Sequence, residues 1–296
     1  MPDSADKQGT LLIFWDYDTQ WGADRSRSGG GPKSWGALEF DCTDELLDLH
    51  AQYEVPACFA VVGAAAQAGS RPYHDPGQIR QIHAQGHEIG SHAYQHEWLP
   101  GLDRVRLRKT LRDSKAALEQ CIGAPVTTFV PPYNQPFDYP RGFSFSFSER
   151  REAGRNRTDL GQLCKVLAES GYTLCRVAYR PIYIQAAERM IGRRIDRPGR
   201  VSNIEGVSCV RLNTPGGFNS SSLQMLERCA DRGGMAVVYG HPHSLHSGNS
   251  QDRTHLVRFL ERVQTLKKSG RLCVKRPTEL TAPAHTTELL DHAYGR

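Results

Sequence analysis

Short apolar runs and amphipathic stretches take turns along this chain from residue 11 to residue 275, and that alternation restricts the fold more than any figure of composition. Leu11 to Trp15, Pro56 to Val62, Glu88 to Gly90, Thr127 to Val130, Tyr172 to Val177, Val207 to Leu212, Met235 to Tyr239 and Leu272 to Lys275 read as buried strands. Between them, Thr43 to Tyr53 (capped by Thr43 or Asp41), Pro76 to Gln85, Leu102 to Cys121, Thr158 to Ser170, Ser221 to Arg232 and Gln251 to Ser269 have helical spacing. About eight strands alternating with helices predict a parallel α/β fold. Two polar motifs lie at the ends of predicted strands, where a β/α barrel gathers its functional loops, so a barrel is expected rather than an open sheet. With no internal repeat or linker, residues 1–296 are expected to form one domain with its core at about residues 10–280.

Three stretches break the rhythm. Gln20 to Phe40, with Gly29-Gly30-Gly31-Pro32, reads as a long loop; Asn134 to Arg157 is rich in Phe, Ser, Pro and Arg; Arg180 to Glu205 is a basic insertion. Long loops on the active face of such a fold shape substrate recognition.

Charge narrows the partners. Lys and Arg number 37 against 32 Asp and Glu, a formal +5, but the basic residues are scattered without an aromatic-interleaved patch, which argues against nucleic acid. The apolar run after the polar segment Met1 to Thr10 is too short for a signal sequence or a membrane span. The eight cysteines stand singly with no C-x-x-C pair, as expected of reduced thiols in a cytoplasmic protein.

The chemistry concentrates in two places. Asp16-Tyr17-Asp18 ends the first predicted strand, and Gly86-His87-Glu88-Ile89-Gly90-Ser91-His92-Ala93-Tyr94-Gln95-His96 follows about seventy residues later. Histidines four apart meet one cation from a single helical turn, and Asp18 adds a carboxylate oxygen while leaving coordination positions open for water and substrate. Asp16 leaves an extended chain on the same side as Asp18, so one carboxylate binds the metal while the other takes a proton from its water. Asp16 as a second ligand or a structural acceptor is the alternative.

In the order and content of its motifs the chain resembles the polysaccharide deacetylases, the NodB-homology or family-four carbohydrate esterases. The residues that carry the resemblance are Phe14 to Thr19, Leu46-Leu47 with Val55 to Gly63, Gly86 to His96, Pro131-Pro132-Tyr133, and Val238 to Ser244. It implies a distorted (β/α)7-8 barrel and metal-dependent removal of N- or O-acetyl groups. It also implies roles: Asp16 as general base, Asp18, His92 and His96 as ligands, the Tyr133 N–H as oxyanion donor, and His241 as general acid, with His243 as the competing candidate. The chain departs from the family pattern at three places. Val130 stands where an Arg that contacts the base is expected, no Asp lies near Cys175 to orient the acid histidine, and Ala93 follows His92 in place of Ser or Thr.

Among the loop aromatics, Trp21, Trp35, Tyr139 and Phe143 are candidate platforms for a sugar ring, with loop packing as the plain alternative, and Pro132 is expected beside them. Arg25 and Arg27 are candidate anion contacts or simply solvated. His74, His83 and His87 read as surface or satisfied histidines. The expected function is a cytoplasmic, metal-dependent N-deacetylase acting on an N-acetylated carbohydrate, most simply a precursor of a bacterial surface polysaccharide. Zinc is the first choice for a His-His-Asp set, with cobalt, nickel or iron(II) also compatible. The competing readings are a hydrolase of a cyclic or small non-sugar amide and a catalytically inactive carbohydrate-binding relative.

Overall fold

The computed structural model describes residues 8–26, 30–134, 159–190 and 199–281. Its elements follow in the order β1 (Gly9–Tyr17), α1 (Thr19–Arg25), α2 (Trp35–Tyr53), β2 (Cys58–Val61), α3 (Pro76–Ala84), β3 (Glu88–Ser91), α4 (Arg104–Ile122), β4 (Thr128–Phe129), α5 (Leu160–Glu169) and β5 (Leu174–Val177). There follow α6 (Ile182–Met190), β6 (Val201–Ile204), β7 (Val207–Arg211), α7 (Ser220–Arg232), β8 (Gly234–Gly240), α8 (Arg253–Lys268), β9 (Leu272–Val274) and α9 (Thr278–Thr281). The predicted strands and most predicted helices appear with ends shifted by a residue or two.

Helix starts follow from their caps. Asp75, Asp103, Asp159, Asn219 and Asp252 each accept a backbone N–H from the first turn of α3, α4, α5, α7 and α8. Two segments expected as loops contain helix or strand among their described residues. Gln20 to Phe40 contains α1 and the first turns of α2, which begins at Trp35 and not near Thr43. The Gly-Gly-Gly-Pro run hides that start, and Gly36 belongs to the packing: a β-carbon there would lie 2.7 Å from the backbone nitrogen of Gln20. The basic insertion likewise contains α6 and β6, and β6 is the one antiparallel partner in the sheet among the described residues, lying against β7.

The strands run in the order β6-β7-β5-β4-β3-β2-β1-β8, with β9 paired to the start of β1. Among the described residues no ladder joins β7 to β8. The seam is bridged by Asn213, whose backbone N–H donates to Val237 O at 3.3 Å and whose Oδ1 accepts the Val237 N–H at 2.6 Å. The result is a curled sheet with helices outside, the distorted barrel that was expected.

β1 is its axis and shows the period of two. Leu11, Ile13, Trp15 and Tyr17 pack in the layer between sheet and helices. Leu12 and Phe14 face the interior with Cys58, Ala60, Leu174, Val210 and Val237. Continuing the alternation puts Asp16 on the interior side, at the carboxyl end of the strands. All-apolar burial on both faces explains why this strand reads as a continuous hydrophobic run.

Candidate active site and metal centre

Asp16 and Arg176 form the most deeply buried ion pair among the described residues. The guanidinium, 1 % exposed in its side chain, makes two parallel bonds to Asp16, Nη1 to Oδ1 at 2.5 Å and Nη2 to Oδ2 at 2.7 Å. It lies over the rings of Phe14 and Tyr239, at 5.4 and 4.6 Å from their centroids. Asn134 Oδ1 accepts from Nη2 at 3.3 Å, and the Asn134 amide donates to the Tyr239 hydroxyl at 2.6 Å, so the pair sits in a closed network. Burial alone would raise the Asp16 carboxyl; the Arg176 charge, then His92 and the Arg176 hydrogen bonds, outweigh it and hold Asp16 below the ordinary carboxylate value.

Asp18 opens the second cluster. Its Oδ1 lies 3.2 Å from Nε2 of His92 and 3.5 Å from Nε2 of His96, and no hydrogen bond reaches it. Ligand bonds of about 2.0–2.1 Å put the donor atoms of a tetrahedral site about 3.3–3.4 Å apart, so these separations fit a divalent ion. One ligand atom from each of Asp18, His92 and His96 lies within 4.8 Å of the others, the one such grouping among the described residues. The His92 ring is fixed from behind, with Nδ1 donating to Val130 O at 2.7 Å, which leaves Nε2 facing Asp18 with a lone pair to offer a cation. Burial opposes the cationic form of His92, but the Asp18 carboxylate beside its Nε2 and the charge of Asp16 raise its pKa. His96 goes the other way: burial, reinforced by His92, lowers it to about 3 against the pull of Asp18. Asp18 itself is lowered, with His96 and His92 outweighing burial.

The expected helical turn between the two histidines is not there. His92 follows β3 directly, and Ala93 and His96 take left-handed backbone at φ 62° and 57°. Ser114 of α4 holds the turn, its Oγ donating to Ala93 O at 2.9 Å. On the other side, Gly22 lets α1 lie against Asp18, since a β-carbon there would come within 2.5 Å of the Asp18 Cβ.

His241, beyond β8, completes the ring. Its Nε2 is 4.0 Å from Asp16 Oδ2 and 4.0 Å from Asp18 Oδ2. Gln251 Oε1 accepts the His241 backbone N–H at 2.7 Å and lies 3.1 Å from Nδ1. An oxygen that accepts the main-chain N–H also accepts from the ring, so Nδ1 carries the hydrogen and Nε2 faces the carboxylates. His243 lies elsewhere: its ring stacks on Trp35 at 4.6 Å, and its Nδ1 is 3.7 Å from Glu39 Oε1. Burial, then the Asp18 charge, pushes the Glu39 carboxyl well above its ordinary range.

Tyr133 has left-handed backbone at φ 59°, packs its ring 4.5 Å from His96, and donates its hydroxyl to Arg25 O at 2.9 Å. Pro132 is buried beside it. Trp21 packs edge-on against Tyr73 at 5.1 Å, with Arg25 5.7 Å from its ring centroid. Trp35 has one face covered by His243. Tyr139, Phe143 and Arg27 lie outside the described residues.

Arg176 and Gln251 were missed from the sequence. Each answers a departure noted there: an arginine reaches Asp16 from β5 where Val130 cannot, and an amide orients His241 in place of the expected Asp. An arginine inside the apolar run Leu174-Cys175-Arg176-Val177 is the clue that was available, because a charge buried in a strand needs a partner. Glu39 was hidden within the segment read as a loop.

The sequence profile of the family described as Polysaccharide deacetylase matches residues 33–141. Over those residues the chain is similar to the polysaccharide deacetylases. The matched segment of this deacetylase relative holds His92, His96 and Pro132-Tyr133, while Asp16, Asp18 and His241 reach the site from outside it. The chain is 37 % identical over 114 residues to a chitooligosaccharide deacetylase of Sinorhizobium fredii, covering 36 % of this chain and 50 % of that protein. It thus spans half, or less, of the length of the curated relatives it matches. Two solved structures share the polysaccharide deacetylase fold over nearly the whole chain. A Mycobacterium smegmatis protein classed with these deacetylases has TM-score 0.61 at 19 % identity, covering 99 % of this chain and 96 % of that one. The Puue allantoinase has TM-score 0.62 at 14 % identity, covering 93 % and 90 %.

Proposed function

We propose that this chain is a divalent-metal-dependent hydrolase that removes the acetyl group from an N-acetylated sugar of a polysaccharide or glycan precursor. The observation that carries the reading is geometric. A base held ionised, a His-His-Asp donor set and an oriented imidazole surround one space, with His241 Nε2 4.0 Å from both Asp16 and Asp18. The deacetylase names of the matched relatives supply the substrate class, N-acetylglucosamine units among them.

A divalent ion held by Asp18, His92 and His96 supplies a Lewis acid for the amide carbonyl and a lowered pKa for its water. Asp16, ionised beside Arg176, accepts the proton of the attacking water. The new C–O bond forms as the Tyr133 backbone N–H donates to the developing oxyanion. His241 in its cationic form then gives its Nε2 proton to the amine as the C–N bond breaks, and Gln251 keeps that nitrogen aimed inward. The products are acetate and a free amino sugar. His243, held between Trp35 and Glu39, supports its neighbour rather than serving as the acid.

Zinc is the proposed metal, with cobalt, nickel or iron(II) as competitors for the same donors. All eight cysteines are free thiols, which supports a reducing, cytoplasmic setting and a precursor substrate.

The test is acetate release from N-acetylglucosamine oligomers by zinc-reconstituted protein, beside the His92→Ala/His96→Ala variant and with a cyclic amide in the same panel. Metal-dependent acetate release is expected from wild type alone. Turnover of the cyclic amide without acetate release overturns the sugar reading, and binding of oligomers without any turnover favours the inactive relative.

A further inference from the structure

Helix α2 brings Trp35 and Glu39, four residues apart, against the site from outside the strands. Glu39 is fully buried at 0 % exposure, and its Oε2 accepts the backbone N–H of Thr19, the residue after Asp18. Thr19 has φ 54°, left-handed backbone that is costly for a β-branched residue. The other carboxyl oxygen, Oε1, has no hydrogen-bond partner among the described residues and stands 3.7 Å from His243 Nδ1, which also has none. The His243 ring is 5.2 Å from that of His241. One buried carboxyl therefore touches both the turn that aims Asp18 and the segment that carries His241.

We propose that Glu39 is a positioning residue for the metal centre: by accepting the Thr19 N–H it holds the strained turn that points Asp18 Oδ1 at His92 and His96. The inference rests on the metal-centre reading above. Without the acceptor, Thr19 relaxes toward right-handed backbone, the peptide after Asp18 rotates, and the 3.2 and 3.5 Å separations from the histidines are lost. Outer groups that orient metal ligands are worth on the order of 10- to 100-fold in affinity. Glu39 reaches its ligand through the backbone, which makes it a strut for the turn rather than a partner of the side chain.

Zinc affinity, by competition with a chelator, and the zinc-induced shift in Tm are measured for wild type, Glu39→Gln, Glu39→Met, Glu39→Ala and His92→Ala/His96→Ala. Glutamine keeps an oxygen acceptor; methionine keeps the volume without one. Glu39→Gln is expected within about threefold of wild type, and Glu39→Met and Glu39→Ala weaker by about 10- to 100-fold. Adding Thr19→Gly to Glu39→Met is expected to restore most of the loss, because glycine takes the left-handed turn without strain. Each variant's zinc shift is referred to its own metal-free Tm, so lost packing alone does not produce the pattern. If one apolar variant does not fold, the other carries the comparison with Glu39→Gln. Glu39→Met or Glu39→Ala binding zinc as tightly as wild type, or Glu39→Gln binding as weakly as they do, overturns the proposal. Wild type binding no better than the double histidine variant removes the metal centre, and the strut with it.

Discussion

Two pairs of buried histidines meet at opposite ends of the same strand. His87 precedes β3 and faces His50 with ring centroids 5.2 Å apart; His92 follows β3 and faces His96 at 5.0 Å. By ring spacing alone they are indistinguishable. The difference lies in what their nitrogens meet. His50 accepts from Trp15 Nε1 at 2.8 Å and donates to Val55 O at 2.7 Å, while His87 Nδ1 accepts the Ala57 N–H at 3.1 Å. Among the described residues neither ring belongs to a group that could hold a metal ion. At the other end, Asp18 Oδ1 lies near both Nε2 atoms. Paired imidazoles make core packing at one end, and a carboxylate near their outer nitrogens makes a group that could hold a metal ion at the other.

The largest expected effect tests that difference directly. His92→Ala/His96→Ala is expected to bring bound metal to background and turnover down by on the order of 10³-fold or more, since a Lewis acid is worth several kcal/mol in the transition state. His50→Gln/His87→Asn is expected to leave metal content unchanged and act on stability alone. Elemental analysis of both proteins decides it, and metal lost equally from both would erase the comparison.

Next comes the pair that holds the base. Arg176→Met leaves Asp16 buried without a counter-charge, at a cost of about 3–5 kcal/mol of stability if the carboxylate stays ionised. The sign with pH follows from the two folded states. In wild type the Asp16 pKa is lowered, so its contribution is present above the unfolded value of about 3.9 and is lost only as pH falls through the lower folded value. In Arg176→Met burial dominates and the folded pKa rises above 3.9, so the variant regains stability as pH falls, and the acid limb of kcat/KM moves to higher pH. A loss of about 10²- to 10³-fold in kcat/KM at neutral pH is expected, within the range of general-base catalysis. An unmoved acid limb would remove Asp16 as the base.

Gln251→Leu should cost less. It removes one neutral hydrogen bond from His241 Nδ1, worth about 1 kcal/mol, so kcat is expected to fall about fivefold to tenfold with metal content unchanged. Glu in place of Gln251 restores an acceptor and is expected to recover most of the rate. Equal losses in both variants would show that the acceptor does not matter.

How far these roles can be read from sequence depends on whether a residue's partner is near it in the chain. Asp16 and Asp18 are fixed by strand periodicity, and the caps Asp75, Asp103 and Asp252 by the helices they start. The partners are less legible. Arg176 finds Asp16 across 160 positions, and Gln251, though only 10 positions from His241, meets it through an irregular loop between β8 and α8 that no periodicity predicts. The left-handed turn at Ala93 and His96 was mistaken for a helix because an i, i+4 spacing says nothing of what holds it; Ser114, from α4, does. The start of α2 was lost because glycine at 36 reads as a loop until Gln20 is seen packed against it.

The smallest effect returns to the other end of β3. Burial, then the Arg276 charge, lowers His87 to about 4, so its imidazole is neutral in the fold and free to protonate only on unfolding. Between about pH 6.5 and the folded value the unfolded chain binds the extra proton, so stability from His87 is full above that window and falls as pH drops through it. His87→Asn keeps an acceptor for the Ala57 N–H and removes the titration. Denaturant unfolding from pH 6.5 to 4.5 is expected to show a shallower loss, by up to about 1.4 kcal/mol per pH unit for one proton. Metal content should not change, because among the described residues His50 and His87 belong to no group that could hold a metal ion. If the slope stays as in wild type, His87 is not the neutral group in the fold that its burial implies.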